Sequence, residues 1–181
     1  MSSTLIQGCK RFSDKALNDG DIELFHNNLA TLIFGYTSIE ARINELVSLY
    51  EVEKNLKIPS DYLLTLKKIE QKLTIRDKFN LLVGLLNQEV WDNSKEPFQS
   101  FNIIQTIRNE IIHYKGDFDE TGKLPIKKLM PLFTILGLNS APERSWQREL
   151  FNCREFGIWV YDKVQQMNNL ITERIYKNLF L

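Results

Sequence analysis

From Ile22 to about Leu56 the chain carries Phe25, Leu29, Leu32, Ile33, Tyr36, Ile39, Ile43, Leu46, Val47 and Tyr50, spaced mostly by three and four. That spacing predicts one long helix with a continuous apolar stripe, which other helices must cover. Glu40 interrupts the stripe four residues after Tyr36 and three before Ile43. A carboxylate there is costly unless paired or hydrated. It either meets a cation, for which Arg108 is a candidate, or lies at the margin of the stripe and reaches water.

The other segments read as helices as well. Residues 1 to 18 carry Leu5, Ile6, Phe12 and Leu17 and form either a helix on the bundle edge or a partly ordered tail. Asn18-Asp19-Gly20-Asp21 is a turn, with Asp21 placed to cap the long helix. Pro59-Ser60-Asp61 ends that helix and starts another through Leu63, Leu64, Leu66, Ile69 and Leu73. Thr74 offers a further start ahead of Phe79, Leu82, Val83, Leu85 and Leu86, giving two helices or one with a bend. Residues 117 to 125 read as a loop, and Pro131 predicts a kinked or short helix within 126 to 138. Ser140-Ala-Pro-Glu143 is a helix start, and a final helix is expected from about Pro142 towards Leu179. A helix that long outruns a typical bundle core, so Ile175, Tyr176, Leu179, Phe180 and Leu181 are expected to meet a second copy.

No stretch has a strand's period of two, and five prolines with eight glycines are too few for a turn-rich β fold. The expected class is all-α, a helical bundle with two long helices and several shorter ones, residues 1–181 forming one domain. The 23 basic and 23 acidic residues cancel, so phosphate binding must come from a local cluster and not from a global field. No window approaches ~20 consecutive apolar residues, so no membrane span is expected. Cys9 and Cys153 fit no spacing motif and suit a reducing, cytoplasmic setting. No zinc spacing and no glycine-rich phosphate loop is present, so no metal and no cofactor is expected.

Function concentrates on Phe98–Gly116, FQSFNIIQTIRNEIIHYKG. Phe101, Ile104, Ile107, Ile111 and Ile112 mark a helix with one buried face, Pro97 suits its start and Gly116 its end. Arg108, Asn109 and His113, one of two histidines, lie within six residues on or beside that face. His26 has no companion at ligand spacing and reads as structural.

Arg108-Asn109-Glu110-Ile111-Ile112-His113 resembles the R-x4-6-H signature of the HEPN superfamily, with Asn109 as the polar residue that often follows its arginine. A long helix reading SIEARIN before the motif and a later helix beginning Ser145-Trp146 are similar to that family too, over roughly residues 20 to 175. The resemblance implies an α-helical homodimer and a metal-independent endoribonuclease in toxin–antitoxin, abortive-infection or antiviral defence. RNA would be its substrate, with an antitoxin or another defence protein as a further partner. It carries over at Arg108, Asn109 and His113. Some toxin members have Tyr two residues after the His; here Tyr114 follows at once and Lys115 holds that place.

The chemistry suits those side chains. Cleaving RNA without a metal needs a base for the 2′-hydroxyl, a cation for the phosphorane and an acid for the 5′-oxygen. His113, with an ordinary pKa of about 6.5, can take or give a proton. Arg108 offers a planar pair of donors with a permanent charge. Asn109 can orient the imidazole or reach a phosphate oxygen. Five residues rotate about 500°, leaving Arg108 and His113 some 140° apart on a regular helix. They converge better across a two-fold interface or at a distorted last turn. Two other readings stand beside this one. The chain is a catalytically inactive HEPN-like bundle that binds a protein or nucleotide, or an unrelated helical protein in which Arg108 pairs internally.

Overall fold

The structure, a computed structural model, describes residues 1–18, 20–52, 72–112, 127–139 and 145–180. Every regular element among them is helical. α1 runs Ser2–Asn18, α2 Asp21–Val52, α3 Ile75–Leu85, α4 Phe98–Ile112, α5 Met130–Ile135, α6 Trp146–Phe151 and α7 Arg154–Ile171. A π-helical turn, Thr172–Tyr176, joins α7 to α8, Lys177–Phe180. α2 is the axis of the bundle, with α1, α3, α4, α6 and α7 packed on it.

The expected stripe of α2 is its inner face. Leu32, Ile39, Ile43 and Leu46 are fully buried, with Tyr36 and Val47 nearly so, while Phe25 and Leu29 are partly covered. A second face is buried as well. Asn28, Thr31, Gly35 and Ser38 recur at the same three- and four-residue steps, but they are small or polar. The two hydroxyls bond within α2, and Cys9 of α1 reaches across to it. Thr31 Oγ1 donates to Asn27 O at 2.8 Å, Ser38 Oγ to Gly35 O at 2.7 Å, and Cys9 Sγ to Thr31 O at 3.4 Å. Small residues here let α1 and α7 lie close. A Cβ added to Gly35 would fall 2.9 Å from Val164 Cγ2 and 3.1 Å from Cys9 Sγ.

That closeness explains α1, which is a helix and not a tail. Its buried residues are Ser2, Cys9, Ser13 and Ala16. Of the apolar positions expected to anchor it, Phe12 packs at a tilt on Phe34 with ring centroids 5.4 Å apart, and Leu17 is 42% exposed. Large side chains flank the contact because the two backbones leave no room for them within it.

The final helix is broken where continuity was expected. α6 ends at Phe151 and α7 starts at Arg154, and the fully buried Asn28 bridges the gap. Its Nδ2 donates to Phe151 O at 2.9 Å, at the end of α6, and to Cys153 O at 2.8 Å, which also accepts from Phe156 N–H at the start of α7. Apolar spacing runs through the break unchanged, so periodicity alone cannot reveal it. Beyond it, Ile175 is fully buried in the same core and Tyr176 lies 5.3 Å beneath the Arg42 guanidinium. Of the residues expected at a contact with a second copy, Ile175 packs within the chain, while Tyr176 stays 41% exposed. Leu181 and the side chains of Leu179 and Phe180 lie outside the described residues.

Local signals elsewhere agree with the structure. Thr74 caps α3 in a reciprocal pair with Asp77: Asp77 N–H donates to Thr74 Oγ1 at 3.2 Å, and Thr74 N–H to Asp77 Oδ2 at 3.1 Å. Pro131 sits in the first turn of the six-residue α5, and Gly137, with φ of 65°, follows its C-cap Leu136. Ser145 caps α6 through Arg148 N–H. The Asp19 and Asp21 side chains, the helix on Leu63, Leu64, Leu66 and Ile69, the 117–125 loop and Ser140–Glu143 lie outside the described residues.

Glu45 ties the start of α1 to α2. Ser2 donates to its carboxylate through N–H at 2.9 Å and Oγ at 2.5 Å, and the Met1 ammonium stands 3.0 Å away. Partial burial pushes this carboxyl up, but the Ser2 hydrogen bonds and the ammonium together overcome it and hold it at about 2. A folded pKa below the ordinary value gives stability that is present above pH ~4.5 and lost as pH falls towards the folded pKa. Glu45→Gln is therefore expected to flatten the acid limb of stability against pH, and an unchanged limb in denaturant titrations would refute the assignment. Gly35→Ala should cost about 1–3 kcal/mol by overpacking, lowering the thermal midpoint by roughly 3–10 °C for a chain of this size. Gly84→Ala, whose new methyl meets nothing within 4 Å, is the control and should not lower it. Equal shifts in calorimetry would show that the close approach at Gly35 has no energetic weight.

Candidate functional site

α4 brings the motif to the bundle. Phe98, Phe101, Ile104 and Ile107 are buried, Ile111 is half-buried and Ile112 is 49% exposed, so the apolar face thins out at the C-terminal turn. The core beneath is aromatic. Trp91 packs on Phe98 with centroids 4.6 Å apart and on Phe101 at 5.9 Å, and Phe101 stacks on Tyr36 at 5.8 Å with the rings 8° from parallel.

Arg108 lies over the same Tyr36 ring. Its guanidinium carbon is 5.0 Å from the Tyr36 ring centroid, and Nη1 donates to Asn109 Oδ1 at 3.1 Å. Gln105, one turn before Arg108 and Asn109, lies close enough to the Tyr36 hydroxyl to lower its pKa. Burial is the main influence that raises the Tyr36 pKa; Glu40 adds to it, while Arg108 and Gln105 oppose it. Tyr36, Glu40, Gln105, Arg108 and Asn109 thus form one polar cluster where α2 and α4 meet.

Glu40 and Arg108 both border Tyr36, yet no ion pair joins them among the described residues. Both are half-buried, and Glu40 lies at the edge of its stripe. The guanidinium therefore rests on a ring face with a neutral amide oxygen at one edge. Such a cation keeps N–H donors for an incoming anion. Asn109, its carbonyl engaged by Arg108, keeps amide hydrogens for the same purpose.

Arg174 makes a useful contrast. It also lies over a ring, Phe98 at 5.9 Å, but Nη2 pairs with Glu89 Oε2 at 2.9 Å and Nη1 donates to Glu89 O. The open cleft around it also holds Asp92, Lys95 and Glu96, so carboxylates outnumber cations there.

His113, Tyr114, Lys115 and Gly116 lie outside the described residues. Of the motif, the structure brings together Arg108 and Asn109. His26 is exposed on α2 and edge-on to Phe25, and no group of His, Cys, Asp and Glu suited to a metal occurs among the described residues. Trp91 and Trp146 are buried and Trp159 partly so. Sequence reading placed Tyr36 in the stripe only as an apolar residue and passed over Gln105. The available signal was the spacing of Gln105, three before Arg108 and four before Asn109 on one helical face.

No family model, curated protein or solved structure matches the chain. No helix among the described residues is long and apolar enough to cross a membrane.

The contact between Arg108 and Tyr36 is measurable in solution. Arg108→Met is expected to raise the Tyr36 pKa further, since it removes a cation that favours the phenolate. Near-ultraviolet absorbance titration of wild type and variant, with Tyr36→Phe identifying the signal, checks this. A Tyr36 midpoint that stays fixed or falls would mean that the two groups do not interact.

Proposed function

We propose that the chain is a metal-independent endoribonuclease of the HEPN type, acting as a homodimer in the cytoplasm within a toxin or antiviral-defence system. The observation that carries the reading is the Arg108 guanidinium, seated on Tyr36 beside Asn109 with no carboxylate paired to it among the described residues. With it stands the resemblance of Arg108–His113 to the superfamily motif.

In this reaction the 2′-oxygen bonds to phosphorus while the bond from phosphorus to the 5′-oxygen breaks. His113 of one protomer takes the 2′-hydroxyl proton, and the second protomer's copy of the same imidazole, protonated, gives one to the departing oxygen. The products are a 2′,3′-cyclic phosphate and a free 5′-hydroxyl. Arg108 binds the non-bridging oxygens, whose charge grows in the phosphorane, with two parallel N–H donors. Asn109 supports the same oxygens or orients the imidazole. Because each end of the step needs its own proton carrier, activity requires two copies of the motif facing one cleft.

A second reading, a catalytically inactive HEPN-like bundle that binds a protein or nucleotide, is favoured by the equal numbers of acidic and basic residues. Incubation with mixed RNA in EDTA separates the two. Wild type is expected to release fragments ending in 2′,3′-cyclic phosphate. His113→Ala and Arg108→Ala should each slow cleavage by about 10²-fold or more, the range for removal of a proton-transferring or charge-stabilising group. Circular dichroism should show all three equally folded. Equal cutting by the three proteins removes the assignment, and no cutting by wild type leaves the binding module.

A further inference from the structure

We infer that Tyr36 is a positioning residue for Arg108, its ring holding the guanidinium by one face so that the N–H edge is presented to an RNA phosphodiester. The inference rests on the ribonuclease reading for the identity of the anion, and on the packing around Tyr36 for the rest.

Tyr36 is held from several sides. It is only 6% exposed, Phe101 stacks on its ring at 5.8 Å, and Gln105 neighbours its hydroxyl. The ring cannot follow the motions of a side chain laid across it. Arg108, by contrast, is half-buried at the last turn of α4, where a long side chain otherwise samples many rotamers. A guanidinium on a ring face gains attraction from the π electrons without engaging its in-plane donors, which is how it differs from one held by a carboxylate. Arg174 shows the alternative within the same molecule, over Phe98 but with its donors on Glu89. Tyr36 thus does for Arg108 what a carboxylate would do, without competing for the phosphate. The hydroxyl belongs to the Gln105 contact, and the ring alone accounts for the positioning.

The test replaces the ring electronics and not the shape. Tyr36→Phe keeps the π face, and Tyr36→pentafluorophenylalanine keeps the outline while reversing the charge of that face. Binding is measured on a 2′-O-methyl RNA that cannot be cut, and cleavage separately on unmodified RNA in EDTA. Tyr36→Phe should bind within about 2-fold of wild type, and the fluorinated protein about 5- to 30-fold more weakly, the range for a partly desolvated cation–π contact. Thermal midpoints of the two variants should agree, which keeps the comparison independent of folding. Equal affinity of the two variants overturns the inference even if wild type cleaves RNA. Wild type that binds but does not cut, with the fluorinated protein weakened, overturns the nuclease and retains the role of Tyr36. Wild type that binds no RNA overturns both.

Discussion

A helix of 32 residues buried along two faces is the constraint from which the rest of this bundle follows. The two faces of α2 differ in kind. One is apolar and takes the bulky cores of α3, α4 and α6. The other is lined by Asn28, Thr31, Gly35 and Ser38, and admits α1 and α7 at a separation that forbids large side chains. The buried donors there are satisfied, because each hydroxyl donates back to its own helix and Asn28 Nδ2 reaches two carbonyls, while Asn28 Oδ1 is buried with no partner among the described residues. Packing of α4 against both α2 and α7 holds Phe101 on the Tyr36 ring and makes Tyr36 a rigid floor.

Most helices could be read in the chain because their signals are local. The Thr74–Asp77 capping pair and the place of Pro131 need only a few neighbouring residues to be understood. The stripe of α2 is legible for a related reason, since apolar residues at helical spacing have one economical use. What escaped was non-local. Asn28 meets the α6–α7 break across more than a hundred residues of chain, and nothing near Phe151 announces it. The buried face of α1 escaped because Cys9, Ser13 and Ala16 have little hydrophobic weight; their value lies in being small, which becomes visible only when the partner helix is in place.

The motif divides along the same line. Arg108 and Asn109 stood out by residue type, and their seat did not. Tyr36 was counted as one more apolar residue because its ring fits the stripe, although a ring has a second use as a surface for a cation. Glu40, weighed as an ionic partner for Arg108, shares Tyr36 with it instead. A planar, delocalised charge tolerates that arrangement where a lysine ammonium would not, being more strongly hydrated and unable to lie flat on a ring.

The two thiols have a consequence of their own. Cys9 is sealed between α1 and α2 and Cys153 lies at the helix break, and burial is the chief reason that both are pushed up, to about 12 and about 11. Almost no reactive sulfur anion exists at neutral pH, so an alkylating reagent meets an inert molecule until a helix parts from its neighbour. The rate at which each sulfur is captured then becomes a clock for that parting: one clock is set in the seam between the first two helices, the other at the joint of the last pair.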